Sequence, residues 1–301
     1  MELSYKNCNI CPRGCGVDRD ASVGICRSGS RVKISRVSRH LYEEPAICGK
    51  RGAGTVFFSG CNLGCVFCQN SIISRRSVGK EFDEKDLSEL FLTVAASGVS
   101  SLDLVTPTHF TPTVAAALSA VKDKLGIPVV WNSGGYESVE SLELLRGLVD
   151  IYLPDFKYFS PELSAKYSRA EDYRERAEEA LSFMYNMLGA AEFDSDGMMR
   201  KGIIVRHLVL PGQRKDSIAC LRRLAEILPV SDIRLSLMSQ YTPDFYKGED
   251  KNLHRRLTTF EYESVLREAH RLGFDGYMQA PSSASAEYTP EFSDTFSIDL
   301  S

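Results

Sequence analysis

The stretch Cys61-Asn62-Leu63-Gly64-Cys65-Val66-Phe67-Cys68 constrains this chain more than any other. Three thiols fall within eight residues, at C-x3-C-x2-C spacing. They follow the apolar run Thr55-Val56-Phe57-Phe58, which reads as a buried strand. A strand that empties into a loop of thiols places a metal site at the strand's C-terminal end. Three thiolates suit an iron–sulfur cluster, and ordinary clusters take four. The count therefore points to a cubane with one iron left for a substrate or cofactor. The alternative is an electron carrier without catalysis, in which the isolated Cys48 is the fourth ligand.

The nine cysteines decide what composition must answer. The N-terminus, Met1-Glu2-Leu3-Ser4-Tyr5-Lys6, lacks the apolar core of a signal peptide, and no apolar run reaches the roughly 18 residues of a membrane span. A cytoplasmic protein with thiols kept as metal ligands is expected, not a disulfide framework. A net charge of −4 offers no basic footprint for nucleic acid. At 301 residues, 43% of them hydrophobic, the chain can bury one large α/β core or form two smaller domains.

A second group of thiols precedes the first: Cys8-x2-Cys11-x3-Cys15-x10-Cys26, with Pro12, Gly14, Gly16 and Gly24 among them as turns. So few apolar residues stand here that the segment must fold on a metal. Zinc would be held tetrahedrally by four thiolates, and a second 4Fe–4S cluster would use the same residues. Spacing alone leaves both open. Residues 31–53 read as a connecting arm that ends in a Gly-rich turn.

From there strand and helix alternate. Strands are expected at Thr55–Ser59, Leu102–Val105, Val129–Trp131, Asp150–Leu153, Ile203–Leu210, Ile233–Met238 and Gly276–Gln279. Helices are expected at 84–97, 112–125, 138–147, 170–188, 215–227 and 259–272. This repetition means a parallel sheet, either open and doubly wound or a partial barrel, with ligands at the C-terminal strand ends. Polar groups do follow the strands: Thr106-Pro107-Thr108-His109, Asn132-Ser133-Gly134-Gly135, Asp155-Phe156-Lys157, Arg206-His207, then Gln240-Tyr241. Gly134 and Gly135 would let backbone approach a ligand. Asp194-Ser195-Asp196-Gly197 mimics the start of a calcium loop but lacks the later ligands, and reads as a turn.

The thiol octet resembles the C-x3-C-x-Φ-C signature of the radical S-adenosylmethionine enzymes, with Phe67 as the aromatic Φ. The stretch from about 50 to 245 resembles their glycyl-radical-enzyme activating branch, related to pyruvate formate-lyase activating enzyme. Asp155-Phe156-Lys157 matches that branch's Asp-x-Lys, and Arg206 with Pro211-Gly212 its Arg-x4-Pro-Gly. Two departures stand out. Thr106-Pro107-Thr108-His109 replaces a Gly-Gly-Glu, and the extra cysteines precede the radical motif instead of following it.

The resemblance implies a partial (β/α)6 TIM-type barrel at 51–282; cysteine spacing sets a Cys-rich metal-binding extension at 1–50 before it, and composition a polar tail at 283–301 after it. Cys61, Cys65 and Cys68 would hold a 4Fe–4S cluster, whose open iron is chelated by S-adenosylmethionine. Phe67 would pack near the adenine. Thr106, Thr108, Asn132, Asp155, Lys157 and Arg206 would hold the methionine and ribose, and His207 and Gln240 would face the substrate. Cys8, Cys11, Cys15 and Cys26 would hold the second metal. Reductive cleavage would yield a 5′-deoxyadenosyl radical for hydrogen abstraction. A flavodoxin or ferredoxin would supply the electron. The target would be a glycyl radical enzyme, a peptide or a small molecule.

Overall fold

A computed structural model describes residues 3–279, 292 and 295–301. The seven strands expected from the sequence form one parallel run. In chain order they are β2 (Ala53–Phe58), β4 (Ser101–Val105), β5 (Val129–Ser133), β6 (Ile151–Pro154), β8 (Met199–Leu208), β9 (Arg234–Met238) and β10 (Gly276–Met278). Neighbours in this run pair directly, as in Val56↔Leu104, Leu104↔Trp131 and Trp131↔Tyr152. Their almost continuous burial accounts for their largely apolar sequences, Asp103 of β4 being an exception. Among the described residues the sheet is open, with β10 at one end.

The other edge departs from the expected connecting arm. Val32–His40 is a strand, β1, antiparallel to β2 through pairs such as Val37↔Val56. Its inward Val32, Ile34 and Val37 are fully buried, which stabilises by roughly 1.5–3 kcal/mol per side chain. Part of the stretch read as the connecting arm is thus a strand of the same sheet as β2. Short strands β3 (Lys80–Phe82) and β11 (Ser297–Asp299) also pair with β1, and β7 (Glu192–Phe193) pairs with β8. Residues 280–282 and most of the polar tail, 283–291 with 293 and 294, lie outside the described residues.

The helices follow their sequence signals. α3 (Glu84–Ala96) starts at Asp83, whose carboxylate accepts the Asp86 N–H at 2.9 Å, and buries Leu87, Leu90, Phe91 and Val94. α4 (Thr111–Leu125) has Pro in its first turn and ends at left-handed Gly126. α8 (Arg214–Ile227) and α9 (Thr259–Leu272) complete the alternation, the latter behind a Thr258–Glu261 capping box. Two short helices lack a legible period, α1 (Pro45–Cys48) and α2 (Ser71–Arg76), and the helix expected at 138–147 is the shorter α5 (Val139–Glu143). Ahead of the helix expected at 170–188 an additional one forms. α6 (Pro161–Ser168), capped by Ser160, stops at left-handed Arg169, and α7 (Tyr173–Leu188) restarts after a turn.

Candidate active site

The thiol loop follows β2 and precedes α2. Its backbone is fixed from several sides. The Cys61 N–H donates to Cys26 O at 3.1 Å, Val66 N–H to Tyr167 O at 2.9 Å, and Arg75 Nη2 to Cys65 O at 2.8 Å. Arg13, from the N-terminal segment, donates to Asn62 O at 2.7 Å and Ser168 O at 2.8 Å, and lies over the Tyr136 ring. Ser168 Oγ donates to Cys65 Sγ at 2.9 Å, and Ser74 Oγ approaches Cys68 Sγ at 3.6 Å. Burial pushes the Cys61 thiol up to about 12, with Cys65 adding to it, and raises Cys68 for the same reasons. Buried thiols of this kind ionise when a bound cation takes their charge.

A cavity of about 210 Å³ opens beside the loop, at the C-terminal strand ends. Cys65, Phe67 and Cys68 form one side. Asn132 from β5, Asp155 and Lys157 beyond β6, Arg206 from β8 and Gln240 beyond β9 form the other. Arg206 Nε bonds Asp155 Oδ1 at 3.0 Å, and its Nη2 bonds Asn132 Oδ1 at 2.6 Å. Lys157 Nζ bonds the other Asp155 oxygen. Burial alone would raise Asp155, but Arg206 and Lys157 outweigh it and hold the carboxyl below its usual range. Asp155 in turn outweighs burial at Lys157 and raises it. All three groups are charged as they face the cavity.

Five of the expected ligand-binding residues thus meet at one site: Phe67, Asn132, Asp155, Lys157 and Arg206, with Gln240 beside them. Phe67 makes edge contacts with Tyr167 and Tyr241, at 6.2 and 6.3 Å between centroids. Gln240 is held by Gln279, whose amide donates to Gln240 Oε1 at 3.0 Å. Others stand apart. Thr106 and Thr108 are outside the cavity lining. Thr108 is buried and donates to Glu137 Oε1 at 2.6 Å, so its hydroxyl is spent within the fold. Thr106 has φ of 60°, strained for a β-branched residue, and donates its N–H to Asn132 O. His207 alternates with the cavity-lining Arg206 and Leu208 and so faces away; its Nδ1 meets Phe156 O at 2.6 Å. Burial lowers its pKa to about 4. Gly134 and Gly135 serve the fold instead of a ligand. A Cβ on Gly134 would meet Leu63 at 2.7 Å, and one on Gly135 would lie 2.0 Å from Asp155 O.

The sequence reading missed three carboxylates here. Glu43 lines the cavity with an oxygen 3.9 Å from Arg206 Nη1. Glu44 and Asp103 are buried, and burial raises both; Glu44 reaches about 7, and Asp103 stands well above its usual range with Glu43 adding to the shift. Asp103 had a signal, a charged residue inside the buried run of β4.

Among the described residues, no three His, Cys, Asp or Glu side chains already stand in metal-ligand geometry, in the radical loop or in the N-terminal segment. The donor chemistry nevertheless fits in both places. Three thiols share one loop beside a cavity whose far wall pairs a carboxylate with two cations, as a cluster beside a zwitterionic ligand requires. In the N-terminal segment, a Cβ built on Gly24 would meet Cys26 Sγ at 3.3 Å and Cys15 Sγ at 3.4 Å, so both sulfurs flank one space. Cys48 belongs to neither group: its thiol approaches Glu43 O at 3.2 Å.

An open parallel α/β sheet with a three-thiol loop and a charged cavity at its strand ends defines a partial-barrel iron–sulfur enzyme class. Residues 55–224 match the model of the Radical SAM superfamily, and the chain belongs to that family. Its chemistry is therefore cleavage of S-adenosylmethionine at a 4Fe–4S cluster. The chain is 30% identical over 285 residues to the uncharacterized protein MJ0674 of Methanocaldococcus jannaschii, spanning 90% of this chain and 76% of the relative. In fold it is similar to SuiB of Streptococcus suis. With SuiB bound to precursor peptide SuiA the TM-score is 0.52 at 15% identity, covering 78% of this chain and 51% of that one. With SuiB alone it is 0.50 at 12%, covering 78% and 52%. The chain thus spans about half the length of SuiB. Among the described residues, no helix is long and apolar enough to cross a membrane.

Proposed function

We propose that Cys61, Cys65 and Cys68 ligate the cluster, and that the Asp155–Lys157–Arg206 wall receives the methionine end of S-adenosylmethionine. The observation that carries this is the cavity itself, where two of the three thiols face a carboxylate bridged by two cations. Lys157 and Arg206 offer donors to the ligand's carboxylate, and Asp155 an acceptor to its ammonium. Asn132 holds the Arg206 guanidinium in plane. Phe67 offers a ring face to the nucleoside. Gln240 stands where a substrate group would reach the same space. When bound, the cluster and S-adenosylmethionine supply a 5′-deoxyadenosyl radical for hydrogen abstraction.

The target is the backbone glycine of a glycyl radical enzyme, read from the resemblance to the activating branch. A peptide or small molecule is the second reading, favoured by the missing Gly-Gly-Glu and by a fold shared with a protein solved with a precursor peptide. A flavodoxin or ferredoxin supplies the electron, and a cysteine pattern of metal-ligand spacing without a disulfide framework supports a cytoplasmic location. Cys8, Cys11, Cys15 and Cys26 hold a second metal, zinc or iron–sulfur. Anaerobic reconstitution with reductant and S-adenosylmethionine, followed by assay for 5′-deoxyadenosine, tests the central reading. Absence of the product from cluster-loaded protein would overturn it.

A further inference from the structure

Among the described residues, Arg19 is the largest charged side chain to be fully buried, at 2% exposure. Three main-chain carbonyls accept from it: Ser28 O at 3.1 Å, Gly29 O at 2.6 Å from Nη2, and His109 O at 2.5 Å. Its guanidinium carbon lies 4.8 Å from the Tyr5 ring centroid and 5.2 Å from that of Phe110. Among the described residues, no carboxylate forms a hydrogen bond or ion pair with it. Its neighbours Asp18 and Asp20 are exposed, and Asp18 Oδ1 accepts the Asp20 N–H instead. A buried cation without a counter-charge costs several kcal/mol. What does stand near it is sulfur: Nη1 lies 3.9 Å from Cys8 Sγ, and a Cβ built on Gly24 would meet Cys26 Sγ at 3.3 Å, Cys15 Sγ at 3.4 Å and Arg19 Cδ at 3.8 Å, so the arginine stem borders the space those two sulfurs flank.

Four thiolates on a zinc ion, or on an iron–sulfur core of the same charge, leave a net charge of about −2. We infer that Arg19 is the buried counter-charge of a four-thiolate metal centre at Cys8, Cys11, Cys15 and Cys26, a positioning residue that tunes the centre without ligating it. This rests on the second-metal reading above and is independent of the radical chemistry. It also explains why a guanidinium is used. Its planar fork satisfies three carbonyls while its charge stays beside the sulfurs, which an ammonium cannot do with the same geometry.

The test uses the full chain with Cys61, Cys65 and Cys68 all replaced by Ala, so that only the N-terminal thiols can hold metal. Zinc is titrated against a chromophoric chelator, and iron with sulfide is reconstituted in parallel; the arm that fills identifies the metal. Arg19→Met is expected to lower the affinity for that metal roughly 10–100-fold, and Arg19→Lys to recover part of it. Thermal midpoints supply a sign that a merely structural arginine would not give. Arg19→Met should lower the midpoint of the metal-loaded protein, yet leave unchanged or raise that of chelator-stripped protein, where the lone charge is a burden. Unchanged metal affinity in Arg19→Met, or an equal loss of midpoint with and without metal, overturns the role of Arg19. Binding of neither metal in the unsubstituted segment overturns the second-metal reading and the inference together, whatever the radical cluster does.

Discussion

Removing Asp155 and removing Lys157 should have unequal consequences, and the inequality tests the charged wall. Asp155 is the hub: Arg206 holds one oxygen at 3.0 Å and Lys157 the other, with side chains only 12–18% exposed. Asp155→Asn leaves two buried cations, with Glu43 at 3.9 Å from Arg206 as the remaining anion. Removing one partner of a buried pair costs about 3–5 kcal/mol. At about 2 °C per kcal/mol for a chain of this size, Tm falls by roughly 6–10 °C. Lys157→Met leaves Asp155 still compensated by Arg206, and the stem volume is kept. The loss is then one charged hydrogen bond, about 1.5 kcal/mol or roughly 3 °C. The order reverses for ligand binding per unit of stability lost. Lys157→Met should weaken S-adenosylmethionine binding about tenfold or more at unchanged iron content, because a donor to the carboxylate is gone. Anaerobic calorimetry of unfolding and of binding on the reconstituted protein measures both. A Lys157→Met variant destabilised as much as Asp155→Asn, or one that binds S-adenosylmethionine normally, would refute this account of the wall.

Cys61→Ala, Cys65→Ala or Cys68→Ala should each abolish formation of 5′-deoxyadenosine, whereas Cys48→Ala should retain it, since the Cys48 thiol is turned to Glu43 O. Loss of the cluster in Cys48→Ala would instead favour an electron carrier. Gly135→Ala should destabilise by about 2–6 kcal/mol, because φ is 77° and the new Cβ would lie 2.0 Å from Asp155 O; a Tm within 1–2 °C of the parent would contradict the geometry. Glu44 sets a pH dependence. Burial, against Arg206, raises it from 4.5 to about 7 in the folded state. The native state therefore holds the proton longer than the unfolded chain. Its contribution favours folding at low pH and is lost as pH rises from about 4.5 through about 7. Glu44→Gln should flatten that fall in a pH series of denaturant midpoints, and an unaltered slope would count against the burial.

The radical loop, the seven parallel strands and the Asp155-x-Lys157 pair were legible because each is local. Thiol spacing, apolar runs and period-two alternation are properties of a few adjacent residues. Strand β1 was not legible, since its alternation is interrupted by Ser35, Arg36, Ser38 and Arg39 and its partner lies across a turn. Nor could the sequence decide which strand-end residues share the cavity. Thr108 and His207 carry the right chemistry, but the pleat and the chain's turn point one to Glu137 and the other to Phe156. Glu43 reaches the site from outside the run of parallel strands, and Arg206 meets Asp155 across 51 residues of chain. The buried charge of Arg19 was likewise indistinguishable from a solvated one. Its meaning comes from the Tyr5, Phe110 and thiol surroundings that tertiary packing alone brings to it. Local covalent order specified the donors; the sheet's twist and register determined which of them face one another.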